Sequence, residues 1–340
     1  MTDASLRAPE FEVVFYGSEQ HYRDHLWPVF EVGTNQRGNL WSWAGSTAGD
    51  GDVSQVSGRI AVVAASGDML KARLARARKI VLMQHGAGQS YLARTAGKYP
   101  YQHSSYPGGR GHERAALALF PNQQSYDHHR QRYGDRVPAE VVGCPKLDSW
   151  VDLPPKPRSD PPMVVISFHW RCKVAREAGT VWDDYGWDAI HALVEMRDAG
   201  EIDLAVHAHP RIYDAVDAAD PGTLCVPMIR TFHEVRDVAD LYVCDNSSTM
   251  FEFAALDRPV VVMNSPRWRR YVHHGGRFWD WATVGPQVSG ADGLPEAIAT
   301  ALSDGHGTDW ARRSVVSEVY PYLGSASQRA AGAIERLERS

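Results

Sequence analysis

The chain has 340 residues, 44% of them hydrophobic, and a formal net charge of −5. That length buries a large core and suits two domains of ordinary size, while the acidic balance removes the electrostatic case for bulk nucleic-acid binding. Cys144, Cys172, Cys225 and Cys244 have no Cys-x-x-Cys spacing and no apolar run reaches membrane length, which argues against disulfides, zinc and a transmembrane segment and points to a cytoplasmic protein.

Phe11 to Tyr16 reads as the first strand, and Gly17-Ser18 as a turn into a helix ending near Trp27-Pro28. Gly33 to Gly58, rich in Gly, Ser, Asp and Asn with Trp41 and Trp43 as its large anchors, reads as irregular. A strand at Ile60 to Ala64 and a basic helix at Met69 to Arg78 follow. The third strand, Lys79 to Gln84, runs directly into His85-Gly86-Ala87-Gly88-Gln89. Parallel α/β enzymes place catalytic groups at such strand ends, although a lone His there is more often structural. Tyr99 to Arg114, with His103 and His112, reads as a mobile or substrate-facing loop. A strand at Ala115 to Phe120, a polar helix at Tyr126 to Tyr133 and a strand at Glu140 to Val142 lead to Gly143-Cys144-Pro145-Lys146-Leu147-Asp148.

Five prolines between Leu153 and Pro162 have the composition of an interdomain connection. The expected organisation is an N-terminal Rossmann-like domain over 1–152, a linker over 153–162, a second Rossmann-like domain over 163–310 and closing helices over 311–340. In the second half the strand Met163 to Phe168 ends at His169-Trp170-Arg171, and a helix spans Trp187 to Met196. A strand at Leu204 to Val206 ends at His207-Ala208-His209-Pro210, and a short strand is expected at Thr223 to Val226, with a helix at Phe232 to Ala239. Leu241 to Cys244 is a buried strand stopping at Asp245, Ser247-Ser248 stand where a helix begins, and Pro259 to Met263 is the next strand. Two hydroxyl residues there either cap the helix or hold a phosphate. Helices at Leu294 to Leu302, Asp309 to Tyr320 and Ser327 to Leu337 close the chain. The fold class is thus α/β, two Rossmann-like domains facing across a cleft.

The order of these signals resembles the CDP-glycerol glycerophosphotransferase family, the enzymes of teichoic acid priming and polymerisation on the two-domain GT-B glycosyltransferase fold. The resemblance rests on His85-Gly86, Gly143-x-Pro145-x-x-Asp148, Trp170-Arg171 and His209-Pro210. Its most specific part is Asp245-x-Ser247-Ser248-x-x-Phe251-Glu252 with Leu256-Asp257-Arg258-Pro259, and Gly285-Pro286 follows in the same order. It implies a transferase that moves a glycerol-phosphate or glycosyl unit from a nucleotide-activated donor to an acceptor hydroxyl.

On that reading His85 is the general base, beside Gly86, and His209 and Arg171 offset the donor charge. Ser247 and Ser248 hold the donor phosphates, Asp245 and Glu252 are weaker nucleotide or ribose contacts, and Gly143, Pro145 and Asp148 shape the hinge. The bland readings pair Arg171 with Asp183 or Asp184, make His209-Pro210 an ordinary strand exit, and put Glu252 on a helix surface. Neither a cofactor nor an essential metal is expected, because no His/Asp/Glu grouping has ligand spacing. The expected partners are the nucleotide donor and a polyol-phosphate or glycan acceptor. With basic stretches only at Lys71 to Lys79 and Arg267 to Arg270, membrane association is at most weak and peripheral.

One departure concerns the acceptor. The family usually has a threonine, proline and lysine close behind its His-Gly, where this chain has Ala87, Gly88, Gln89 and Ser90. A UDP- or GDP-sugar glycosyltransferase acting on a glycan, protein or modified nucleic acid is the alternative, followed by a nucleotide-sugar 2-epimerase or a non-catalytic binding module. The epimerase needs carboxylates where these strand ends offer histidines.

Overall fold

The computed structural model describes residues 11–44, 58–74, 77–87, 92–93, 101–102, 106–169, 181–218, 225–245, 247–264, 266, 281–303 and 309–340. They fall into two compact units. One comprises the described residues up to position 89, from Tyr101 to Asp152 and from Tyr320 onward, and the other 92–93 and those from Leu153 to Val319.

The first unit is built on a six-stranded parallel sheet in the order Ser42–Ala44, Phe11–Tyr16, Gly58–Val63, Lys79–Met83, Leu117–Phe120, Ala139–Val141. After Glu12, Arg59 and Lys79 near their starts, its central strands are apolar because both faces are covered. Val13, Phe15, Ile60, Val62, Val81 and Met83 face a core with Leu26, Val29 and Ile334. The alternate residues Val14, Tyr16, Ala61, Val63, Ile80 and Leu82 face Met69, Ala72 and Tyr133 on the other side.

Two sequence expectations change here. The first helix spans Gln20–Glu31 with Pro28 inside it and continues into a π-helical turn, Val32–Gln36, instead of ending near Trp27-Pro28. The Val32 N–H is bonded to the carbonyls of Pro28 and Val29, and Leu26, Val29 and Val32 are all buried, so packing outweighs the one backbone donor that proline lacks. The stretch read as irregular contributes the edge strand Ser42–Ala44, fixed by Trp41 and Trp43, whose rings lie 5.3 and 6.4 Å from that of Phe15. The part of it over 45–57 lies outside the described residues. His112, expected on a substrate-facing loop, is buried in the 3₁₀ turn Arg110–Arg114 with its ring stacked 6.1 Å from Phe120.

The second unit has its own six-stranded parallel sheet, ordered Met228–Ile229, Asp203–Ala208, Met163–Phe168, Leu241–Cys244, Val260–Met263, Gln287–Val288. In chain order this is 3-2-1-4-5-6, the doubly wound arrangement, so the direction of winding reverses between Met163–Phe168 and Leu241–Cys244. The edge strand lies at Met228–Ile229 and not at Thr223 to Val226, of which 223–224 lie outside the described residues; Cys225 has φ +53°, a left-handed turn that no strand accommodates. Gly285 passes so close to the neighbouring strand that a Cβ would sit 1.8 Å from the Val260 carbonyl oxygen, which explains the Gly285-Pro286 step. Arg258 donates to the carbonyls of Arg236 and Ala239 and so closes the helix Phe232–Val238.

The proline-rich segment is tied to the second unit by Asp240. Its carboxylate accepts from Lys156 Nζ at 2.5 Å and from the N–H groups of Ser159 and Met163 at 3.2 and 2.8 Å. Burial opposes the charge on Asp240, but these bonds outweigh it and hold the carboxyl below its ordinary range.

The final helix, Ala326–Arg339, packs Ala330, Ala331, Ala333 and Ile334 into the core of the first unit. Asp148 receives the N–H groups of Ala326 and Ser327 at 3.1 and 2.6 Å, and Gly143 lies where a Cβ would come within 3.0 Å of Ala326 Cβ. Pro145 opens the 3₁₀ turn Pro145–Trp150 that carries Asp148. The three residues read as a hinge therefore meet the start of the closing helix. Asp148→Ala removes both capping bonds and is expected to cost about 1–2 kcal/mol, lowering the apparent melting temperature by a few degrees; an unchanged melting curve would refute this capping role.

Candidate functional site

At a winding reversal two strand ends are left without a crossing helix above them, and polar groups gather there. In the second unit these ends are Phe168-His169 and Cys244-Asp245. The His169 N–H donates to Asp245 Oδ2 at 3.2 Å, and the Asp245 carbonyl accepts the Ser247 N–H at 2.7 Å. Asp245 is buried and spans the gap between the two strand ends. On the next strand end, His209 lies with its ring 5.8 Å from that of His169. Arg171 and Trp170 lie outside the described residues.

Ser248 precedes the six-residue helix Thr249–Ala254. Its φ of −61° and ψ of −19° are already helical, and its hydroxyl accepts no capping bond. Side-chain capping therefore does not account for Ser248. The Ser247 Oγ accepts from the Thr249 hydroxyl at 2.9 Å and from the Thr249 N–H at 3.4 Å. Glu252 points into the core face of the helix, 2% exposed, and is not a surface residue.

In the first unit His85 follows the strand Lys79–Met83, and its Nδ1 lies 2.8 Å from the Ala64 carbonyl oxygen at the end of the adjacent strand. A carbonyl only accepts, so Nδ1 carries the proton and the lone pair of the neutral ring is on Nε2. At His209 the roles are reversed. Nδ1 accepts the Arg211 N–H at 3.2 Å, which leaves the proton of the neutral ring on Nε2. Gly86, at φ +71°, and Ala87 are buried behind His85.

Sequence reasoning missed the surroundings of His85. The rings of Tyr22, His21 and His25 lie 4.6, 5.6 and 6.1 Å from its own. His21 and His25 are four apart on one helix face, a spacing visible in the sequence. His25 is buried, its Nδ1 3.7 Å from Cys144 Sγ, and burial holds its pKa well below the ordinary value, with nearby Lys146 and the other two histidines adding to the effect. It stays neutral beside His85. Among the described residues no group of three or more His, Cys, Asp or Glu is placed to hold a metal ion, and no helix is long and apolar enough to cross a membrane.

The family model described as CDP-Glycerol:Poly(glycerophosphate) glycerophosphotransferase matches residues 190–336. Over that stretch, less than half of the chain, the sequence is similar to this family. The glycerophosphotransferase match takes in His209 and the run from Asp245 to Pro259, while His85 precedes it. The resemblance carried by those motifs is borne out. No curated protein matches the sequence.

Solved structures share the fold across nearly the whole chain. The wall teichoic acid polymerase TagF is 15% identical, with 96% of this chain and 89% of that chain covered and a TM-score of 0.67. A putative UDP-N-acetylglucosamine 2-epimerase from Listeria monocytogenes is 14% identical, covered at 97% and 98%, with a TM-score of 0.60. S. aureus MnaA, in a co-structure with UDP, is 13% identical, covered at 97% and 97%, with a TM-score of 0.60. At these identities the likeness shows the α/β fold of GT-B type and leaves the substrate to the site.

The depressed pKa of His25 has a consequence for stability. Below about pH 6.5 the unfolded chain protonates this ring while the folded chain does not, so stability falls as pH drops from that point toward the lower folded pKa. Burial lowers His128 and His129 in the same direction. His25→Gln is expected to shallow the decline in melting temperature between about pH 6.5 and 5; an identical pH profile would contradict the assignment.

Proposed function

We propose that the chain transfers glycerol phosphate from a CDP-glycerol-like donor to the hydroxyl of a polyol-phosphate or glycan acceptor. Such a transfer needs a proton removed from the attacking oxygen and charge neutralised on the departing nucleotide phosphate. The observation that carries the reading is the opposite polarity of the two strand-end histidines. His85 has its proton committed to the Ala64 carbonyl and its lone pair on Nε2, which suits a base. His209 has its acceptor committed to the Arg211 N–H and a proton on Nε2, which suits a phosphate contact.

In the proposed reaction His85 Nε2 takes the acceptor proton as the acceptor oxygen forms a bond to the phosphorus that bears glycerol. The bond from that phosphorus to the bridging oxygen breaks, and CMP leaves with the bridging electron pair. Ser247 and Ser248 donate to the donor phosphates, His209 donates through Nε2, and Arg171 supplies formal positive charge. The helix behind the serines has only six residues, so its dipole is a small contributor and the hydroxyls and N–H groups carry the contact. Asp245 shapes the strand-end loop through the bond from the His169 N–H, and Glu252, buried in the helix, is a weaker candidate for a nucleotide contact. The 1–152 segment supplies the base, 163–310 the donor site, 153–162 connects them, and 311–340 closes the chain.

The test is CMP release from CDP-glycerol with a polyol-phosphate acceptor. His85→Ala is expected to lower kcat more than about tenfold with donor affinity unchanged. Unchanged turnover would remove His85 as the base.

A further inference from the structure

Behind Ser247 the structure holds a chain of polar groups inside an otherwise apolar sheet. Ser167 Oγ lies 3.1 Å from His207 Nδ1, and His207 Nδ1 lies 3.1 Å from the hydroxyl of Tyr242. The Tyr242 hydroxyl lies 3.2 Å from Thr249 Oγ1, which donates to Ser247 Oγ at 2.9 Å. Ser167, His207 and Tyr242 come from three neighbouring strands, and all three are buried. Tyr242 is fully buried and its ring packs 5.3 Å from Phe253 and 5.7 Å from Phe232.

The proton inventory gives this chain a direction. Thr249 has one hydroxyl proton and gives it to Ser247, so the phenol must give its own to Thr249. The phenol then accepts from His207, whose Nδ1 carries a proton shared with Ser167. Burial raises the Tyr242 pKa well above its ordinary value, so the phenol keeps the proton this direction needs. At the outer end Ser247 Oγ accepts twice from Thr249, from its hydroxyl and its N–H. With its acceptor positions so occupied, the Ser247 hydroxyl is turned outward as a donor.

We propose that His207, Tyr242 and Thr249 are positioning residues that polarise the Ser247 hydroxyl toward a phosphate oxygen of the donor. This rests on the donor reading of Ser247 given above and deepens it. A hydrogen bond fed by a run of aligned donors is stronger than an isolated one, and it reaches the phosphate without reorienting a hydroxyl that would otherwise rotate. A tyrosine fully inside a sheet usually needs only one partner for its hydroxyl. This one is partnered on both sides, and the chain ends at the serine that the donor reading requires.

The experiment is a double-mutant cycle on CDP-glycerol binding by calorimetry, with melting temperature recorded for every variant. Thr249→Val and Tyr242→Phe each break the chain at nearly constant volume, and either suffices if the other fails to fold. Each is expected to weaken binding roughly three- to tenfold in the wild-type background, with Thr249→Ser restoring it. In a Ser247→Ala background neither should weaken it further, because their effect passes through that hydroxyl. A purely structural role would lower affinity equally in both backgrounds, and that result overturns the proposal. If Ser247→Ala weakens binding while Thr249→Val and Tyr242→Phe do not, the chain is overturned and the donor reading stands. If Ser247→Ala has no effect, both fall.

Discussion

The bond from the His169 N–H to the Asp245 carboxylate is the constraint on which the proposed donor side of this protein depends. It joins the two strand ends at the winding reversal, where the sheet geometry leaves a gap that main-chain ladder bonds do not close. A buried carboxylate is costly, and the His169 N–H offsets part of that cost at Oδ2. The Asp245 carbonyl in turn sets the Ser247 N–H, and the short helix begins from there. The chemistry is therefore set by backbone placement first and by side-chain identity second.

The first unit uses the same principle with different chemistry. Its reversal lies between Phe11–Tyr16 and Gly58–Val63, and the Ala64 carbonyl just beyond that second strand sets the tautomer of His85 on the strand beside it. Two histidines in similar strand-end positions thereby present opposite atoms. A buried neutral histidine next to the proposed base also matters electrostatically, because a charged neighbour would depress the ability of His85 to hold a proton.

How much of this was legible in the sequence follows from burial. Leu241–Cys244 appears as an unbroken apolar run and Met163–Phe168 as one interrupted only by Ser167, both with the bounds the structure gives, because strands covered on both faces have no solvent-facing side. Ser42–Ala44, Met228–Ile229 and Gln287–Val288 have two or three residues, and too few of them are buried to print a pattern. His209 and Ser247 could be found because each stands shortly after the end of an apolar run. The nearness of His25 to His85, and of Lys146 to His25, could not, since it depends on how a helix and a 3₁₀ turn pack beside the strand end. Tyr242 was hidden by its surroundings, for within Leu-Tyr-Val-Cys it reads as one more apolar core residue and only the structure reveals the partners of its hydroxyl.

The most direct test of the account is nucleotide selectivity, measured as the melting-temperature shift of the purified chain with CDP-glycerol, CMP, UDP-N-acetylglucosamine and UDP. A ligand that binds only the folded state raises the melting temperature by mass action, whatever the acceptor. The account predicts a shift with CDP-glycerol and CMP and none with the uridine compounds. A shift with UDP-N-acetylglucosamine and UDP alone would contradict it and move the function to sugar-nucleotide chemistry on the same fold.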